Sequence, residues 1–400
     1  MGSEESKMII NSLLDSDFYK FLMGQVVYFR FPDLWVKYKF INRDNTWFPE
    51  GFDVKLKEEI NHLATLRLTE EEKSWLSKQV GMNKYYVEWF SNFKFNPDQV
   101  KVELKDKLLN VEIEGKWKET IYWEVPLLAI ISQLYYQETN KYPNLEETKN
   151  KILDKKTNLC FPFADFGTRR RFSFNIQDLL VTFMKSSIYF LGTSNPHFAR
   201  IHNVKPIGTS AHECVMAMSG LYGVKEANSK WIENWRFIYG NDYNVALTDT
   251  FTTEYFFKTV SQKDLLLIDG LRQDSGDPIE IGSLIIKKWK ERGINAKDKK
   301  IIFSDNLNVK KATRIYETFK DRTNVIFGIG TNLTNDCGYP HLNIVIKLDS
   351  VLSRNIEHDY NEWIWKPVIK LSDDKKKWTG EKSYIMDTLI QITDKETFNV

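Results

Sequence analysis

Four arginines in this chain have the chemistry to hold an anion. Arg169, Arg170 and Arg171 form one run and Arg272 stands alone, and guanidinium forks suit carboxylate and phosphate oxygens. A second set is backbone in kind. The stretch Gly328-Ile329-Gly330-Thr331-Asn332 offers amide N–H groups that a phosphate can approach closely, because glycine carries no Cβ. A third set is acidic: Asp249, Asp269, Asp274, Asp277 and Asp305 carry the hard oxygens that magnesium prefers. His212 adds an imidazole within Gly208-Thr209-Ser210-Ala211-His212-Glu213. Together these groups suit an anionic, phosphorylated, magnesium-bound ligand.

Each signal alone has a structural reading. A GxGT stretch is an ordinary strand-to-helix turn, the arginine run a solvated helix start, and His212 a satisfied core histidine. Asp274-Ser275-Gly276-Asp277-Pro278 reads equally well as a turn and N-cap before a helix. What joins them is position. From Cys160 onward the chain repeats a unit of apolar run, Gly/Ser/Thr/Asp cluster and helical pattern. The runs are residues 161–166, 188–191, 205–207, 244–247, 265–268, 300–303 and 324–327. Continuous apolar runs between helices predict parallel strands buried on both faces. Seven units favour an α/β barrel over an open sheet, and every polar cluster then opens onto one mouth, where such barrels place their sites.

The preceding residues differ in texture. Val36 to Phe40, Val100 to Leu104 and Leu109 to Ile113 alternate apolar and polar residues, which predicts half-buried antiparallel strands. Helical periodicity runs over residues 56–66 and 70–79, and Pro126 suits the first turn of another helix. The expected organisation is an N-terminal α+β domain (residues 1–160), an α/β barrel-like catalytic domain (161–348) and a C-terminal segment (349–400) that returns to the first domain. The run Lys375-Lys376-Lys377 reads as a solvated turn.

Composition bounds the rest. With 56 Lys+Arg against 54 Asp+Glu, the net charge of +2 provides no field for nucleic acid or an anionic membrane. The hydrophobic share of 42% excludes a disordered chain. Cys160, Cys214 and Cys337 make an odd number without metal-like spacing. Residues 1–7 carry no secretory pattern and no apolar run is long enough to span a bilayer, so a cytoplasmic protein is expected.

Five ordered segments resemble the signatures of the nicotinate phosphoribosyltransferase family. They are Leu14-Asp15-Ser16-Asp17-Phe18-Tyr19-Lys20, Phe166-Gly167-Thr168-Arg169-Arg170-Arg171, Gly208 to Glu213, Arg272-Gln273-Asp274-Ser275-Gly276-Asp277 and Phe327 to Asn332. The resemblance runs from about Ser12 to Leu348. It implies the irregular α/β barrel of type II phosphoribosyltransferases, carrying an N-terminal α/β part completed by C-terminal chain. It further implies transfer of phosphoribose from phosphoribosyl pyrophosphate to nicotinate in NAD biosynthesis, with ATP hydrolysis coupled through a phosphohistidine matching His212. Thr209 and Arg272 match residues that hold the nicotinate carboxylate, and Thr331 matches one that binds the donor, with Gly330 beside it and Arg169 as an anion partner. Tyr19 matches an aromatic that reaches the pyridine ring from the neighbouring subunit of a homodimer, and Phe166 would be the ring's second face. Asp249 and Asp274 are candidates for magnesium or the ribose hydroxyls, with Asp305 ranked after them and the metal ligands unassigned.

A non-catalytic nucleotide-binding or scaffold protein of this fold would be expected to lose His212 or the Arg272 and Asp274 pair, and all three are present. Two further competitors stand beside this reading. One is the same transfer to nicotinamide, against which the Gly208 to Glu213 form favours the acid. The other is a barrel lyase or isomerase acting on a phosphorylated sugar. It would need a lysine at a strand end for Schiff-base chemistry, and no cluster offers one.

Overall fold

The computed structural model describes residues 8–355 and 359–393. Residues 1–7, read above for a leader, lie outside them, as do 356–358 and 394–400 of the C-terminal segment.

Two sheets organise the chain. The first is antiparallel, with strands β1 (Trp35–Asn42), β2 (Val100–Lys105) and β3 (Leu108–Lys116) in the order β2-β3-β1. Burial alternates along β3, as the sequence pattern requires when one face meets a core. The β2–β3 hairpin turns on Asp106 and Lys107, both at positive φ (50° and 64°), the twist that two-residue hairpin loops need. Behind the sheet lie the helices Phe18–Arg30 and Glu124–Glu138. The second is buried almost all round, with Pro126 in its first turn. The other early helices run over Phe52–Leu63 and Glu70–Ser77, close to the periodic stretches.

The second sheet is wholly parallel. Its strands are β4 (Phe163–Asp165), β5 (Phe190–Thr193), β6 (Val245–Leu247), β7 (Gly270–Gln273), β8 (Lys300–Phe303) and β9 (Asn324–Ile329), in the order β5-β4-β9-β8-β7-β6. Two expected runs behave differently. Residues 265–267 belong to a helix, Gln262–Leu267, which Ser261 caps at Asp264 N and Ile268 ends, and the strand starts only at Gly270. Residues 205–207 make a short parallel bridge from Thr193 to Pro206, where the proline has no N–H to extend a ladder. Among the described residues no ladder joins that bridge to β6, so the hydrogen-bonded sheet is an open α/β arc rather than a closed barrel.

The chain then returns. Strands β10 (Ile344–Asn355) and β11 (Asp359–Pro367) complete the first sheet in the order β11-β10-β1-β3-β2, with Tyr38 opposite Leu348 and Lys39 opposite Lys347. This return brings the middle of β10 over the strand ends of the parallel sheet. The core of the first sheet also includes Cys214 to Met218 of the helix His212–Tyr222, so the two layers share packing at the site. No helix among the described residues is long and apolar enough to cross a membrane.

Candidate functional site

The C-terminal ends of the parallel strands deliver polar residues to one region, as the chain's alternation of strand and cluster requires. Asp165, at the end of β4, is fully buried and accepts from Gly167 N (2.8 Å), Gln177 Nε2 (2.9 Å) and Thr193 Oγ1 (2.7 Å). Burial raises its carboxyl to about 6, although those bonds pull it back. This tie fixes the Thr168–Arg170 turn that carries the arginine run.

The three arginines separate. Arg171 is buried in a bidentate pair with Asp15 (Nη1–Oδ1 and Nη2–Oδ2 both 2.7 Å), and Asn195 Nδ2 donates to the same Asp15 Oδ1 at 2.7 Å. It therefore joins the N-terminal segment to the parallel sheet and is not an anion site, contrary to the sequence expectation. Arg170 lies off the cavity beside Arg169 and Arg43, and burial with these like charges lowers it to about 10. Arg169 alone enters the cavity, 3.3 Å from Glu124 Oε1 and 3.7 Å from Asp17 Oδ2, with its guanidinium 5.9 Å from the Tyr19 ring centre.

That cavity lies where the middle of β10 meets the parallel strand ends. Tyr19, Phe166, Arg169, Thr209, His212, Arg272 and Asp274 all line it, together with Asp17, Glu124, Glu213, Ile346 and Lys347. Two glycines make the aromatic walls possible. A Cβ on Gly328 would fall 2.4 Å from the Phe166 ring, and one on Gly208 would fall 2.7 Å from Tyr19 N. Close approach at Gly208 sets Tyr19 in the cavity of its own chain.

His212 opens the helix His212–Tyr222, whose N-cap is Ala211 rather than Thr209 or Ser210. Its Nε2 is 3.1 Å from Asp274 Oδ2 and its Nδ1 is 3.0 Å from Thr250 Oγ1. Burial, then the Lys370 ammonium, hold the imidazole down to about 4 against the pull of Asp249 and Asp274, so the ring is neutral at neutral pH. Burial would raise Asp274, but Arg272, His212 and Lys370 outweigh it and keep the carboxyl well below its usual range. An ionised Asp274 makes Nε2 the donor and leaves the lone pair on Nδ1, which accepts from the Thr250 hydroxyl. Glu213, the sequence neighbour, faces elsewhere: it pairs with the buried Lys20, which also holds Glu124 at 2.7 Å, and accepts from Tyr38 Oη at 3.2 Å and Trp117 Nε1 at 3.3 Å.

Arg272, from β7, donates to Ser304 Oγ (3.1 Å), Ser210 O (3.3 Å) and Asp274 Oδ1 (3.3 Å). Asp249 sits behind His212, 3.7 Å from its Nε2. One of its oxygens accepts from Ser275 Oγ at 2.5 Å, and the other is buried without a hydrogen-bond partner. Asp277 is an N-cap, accepting from Ile279 N and Glu280 N. Gly330 and Thr331 stand at the end of β9 and do not line the cavity, although β9 lies in register beside β4. Asp305 is held by Lys377, which also donates to Asp274 O at 3.0 Å. The Lys375-Lys376-Lys377 run is thus not simply solvated, because its last member turns inward to the site. Sequence reasoning also missed Lys347 and Lys370, whose strand and loop come from the C-terminal return. Among the described residues no cluster of three His, Cys, Asp or Glu side chains is disposed to hold a metal ion.

The chain matches two family models: the nicotinate phosphoribosyltransferase (NAPRTase) N-terminal domain over residues 14–132, and the nicotinate phosphoribosyltransferase (NAPRTase) family over 161–400. It is 42% identical over 380 residues to the nicotinate phosphoribosyltransferase of Desulforapulum autotrophicum, covering 93% of this chain and 96% of that protein. A second relative of the same name, from Methanosarcina acetivorans, is 39% identical over 400 residues, covering 94% of this chain and 96% of that protein. The crystal structure of nicotinate phosphoribosyltransferase from Porphyromonas gingivalis superposes with a TM-score of 0.92 at 34% identity, covering 96% of this chain and all of that one (100%). That from Vibrio cholerae gives 0.88 at 31% identity, covering 98% and 96%. With both sheets, the strand-end cavity and both family models in agreement, the chain belongs to the nicotinate phosphoribosyltransferase family.

Proposed function

We propose that this protein joins nicotinate to phosphoribosyl pyrophosphate, forming nicotinate mononucleotide and pyrophosphate for NAD biosynthesis, and that ATP hydrolysis through a phosphohistidine at His212 drives the transfer. The observation that carries the reading is the convergence, in one cavity, of two aromatic faces (Tyr19, Phe166), carboxylate partners (Thr209, Arg272) and a neutral histidine set against an ionised Asp274.

In the transfer the pyridine nitrogen attacks C1 of the ribose while pyrophosphate leaves, so no protein nucleophile is required. The chain's task is to hold the ring between Tyr19 and Phe166 and to fix its carboxylate. Charge builds on the leaving group, where the guanidinium of Arg169 suits phosphate oxygens, while the amides around Gly330 and Thr331, outside the cavity at the end of β9, suit the donor's other phosphate. The carboxylate of Asp274 stands near enough to Arg272 to keep that cation oriented.

The coupled reaction uses His212, which lines the same cavity. Nδ1 of His212 carries the lone pair; its attack on the γ-phosphorus of ATP forms an N–P bond, breaks the bond to the bridging oxygen and releases ADP. The ring becomes cationic and Asp274 holds its Nε2–H. Water later takes the phosphoryl group as inorganic phosphate. Magnesium fits this site as a companion of the substrate phosphates: Asp249, engaged through Oδ2 with Ser275 and Lys370, keeps Oδ1 without a hydrogen-bond partner to meet it, whereas Asp274 and Asp305 are more fully engaged. When bound, the ion neutralises phosphate charge.

The homodimer implied by the resemblance belongs to this proposal, with each ring site built from one chain. The test is product analysis with nicotinate, nicotinamide and quinolinate in parallel, with and without ATP. The reading expects nucleotide from nicotinate, faster with ATP; nucleotide from nicotinamide or quinolinate alone would refute it.

A further inference from the structure

Three arginine or lysine side chains line the cavity: Arg169, Arg272 and Lys347. Two of them already have protein partners. Arg169 faces Glu124 and Asp17, and all three nitrogens of Arg272 donate to Ser304, Ser210 and Asp274. Lys370, deeper behind His212, is likewise paired, 3.6 Å from Asp249. Lys347 differs. It rises half-buried from the middle of β10, between the buried Ile346 and Leu348, and among the described residues it makes no hydrogen bond or ion pair.

We propose that Lys347 determines specificity in this cavity, its ammonium meeting the carboxylate of the pyridine acid beside Arg272. The inference rests on the nicotinate reading above. An unpaired ammonium in an enclosed site gains more from an incoming carboxylate, whose charge it meets, than from the carbonyl of a neutral amide, so the same residue that attracts the acid discriminates against the amide.

The surroundings make this cation responsive. Burial, then Lys370 and, more weakly, Arg169 lower the amine to about 7, against the pull of Glu124 and Asp274; Lys39 is its register partner across β1. A bound anion favours the ammonium, so acid binding takes up a proton wherever the free amine is neutral. Affinity for nicotinate is then constant below about 7 and falls above it by about tenfold per pH unit until the bound-state value is reached. Nicotinate itself has no group titrating in that range.

The experiment is the pH dependence of KM for nicotinate in the wild type, Lys347→Arg and Lys347→Gln, with nicotinamide as a competing substrate. The wild type should show KM rising above about pH 7. Lys347→Gln should show a KM raised about tenfold or more and flat with pH, a smaller change in kcat, and a narrowed preference for acid over amide. Lys347→Arg, always charged, should keep a low KM that no longer rises. A Lys347→Gln enzyme with the wild-type KM and pH profile would overturn the proposal, as would an arginine variant that keeps the alkaline rise. Failure of the wild type to use nicotinate at any pH would instead remove the functional reading beneath it.

Discussion

His212 Nε2 lies 3.1 Å from Asp274 Oδ2, and the same Asp274 accepts through Oδ1 from Arg272 at 3.3 Å. One carboxylate thus orients both the histidine proposed to carry phosphate and the guanidinium proposed to meet nicotinate. Asp274→Asn should therefore disturb both reactions. Its amide no longer dictates which ring nitrogen carries the proton, so ATP hydrolysis should fall by about a hundredfold or more, and KM for nicotinate should rise about fivefold through the loosened Arg272. Steady-state assays of the two activities check this, and a variant impaired in neither contradicts the arrangement.

The depressed imidazole sets a pH signature. Because folding holds His212 down to about 4 from an ordinary 6.5, the unfolded chain binds the extra proton first as pH falls. This group's contribution to stability is constant above about 6.5 and is lost progressively towards 4. Histidine-dependent ATP hydrolysis should remain flat from pH 7 to about 5, where an unshifted histidine would already be protonated. Comparing denaturation midpoints of wild type and His212→Asn over this range isolates the term, which the variant should lack.

The Arg171–Asp15 pair predicts a structural effect. Both side chains are fully buried and joined by two bonds of 2.7 Å, so Asp15→Ala leaves an uncompensated guanidinium and should cost about 3–5 kcal/mol. The loss would appear as a lower denaturation midpoint. A Tm within a degree of wild type would show that the pair is not what joins the N-terminal segment to the sheet.

The placement of Tyr19 predicts a negative result in mixing. With Tyr19 and Arg272 lining one chain's cavity, a heterodimer of Tyr19→Ala and Arg272→Ala chains contains no intact site. Subunit exchange should restore no activity beyond the sum of the two variants. Recovery of about a quarter or more of wild-type activity would mean that Tyr19 works across the dimer.

Much of this site was legible because parallel strands announce themselves as short apolar runs. Lys300 to Phe303 is the clearest case, a strand with the bounds its apolar run suggests. Residues 265–268 misled because a short apolar run serves a helix equally well, and Ser261 as cap was the signal for the helix. Arg171 looked like its two neighbours, and only a partner 156 positions away makes it structural. Lys347, Lys370 and Lys377 were invisible for a related reason: the antiparallel return of the C-terminal chain, not a strand end of the parallel sheet, brings them to the cavity. A lysine of the kind sought for Schiff-base chemistry exists, but on the other sheet.

The most direct measurement of the central claim is one incubation of enzyme with nicotinate, phosphoribosyl pyrophosphate and γ-labelled ATP, reading pyridine nucleotide and acid-labile protein phosphate together, for wild type and His212→Asn. The account predicts nicotinate mononucleotide and labelled protein from the wild type. The variant should give no labelled protein, no histidine-dependent ATP hydrolysis, and only slow, ATP-independent nucleotide formation at high donor concentration. Absence of nucleotide from the wild type, or a folded His212→Asn variant that hydrolyses ATP at the original rate, would contradict it.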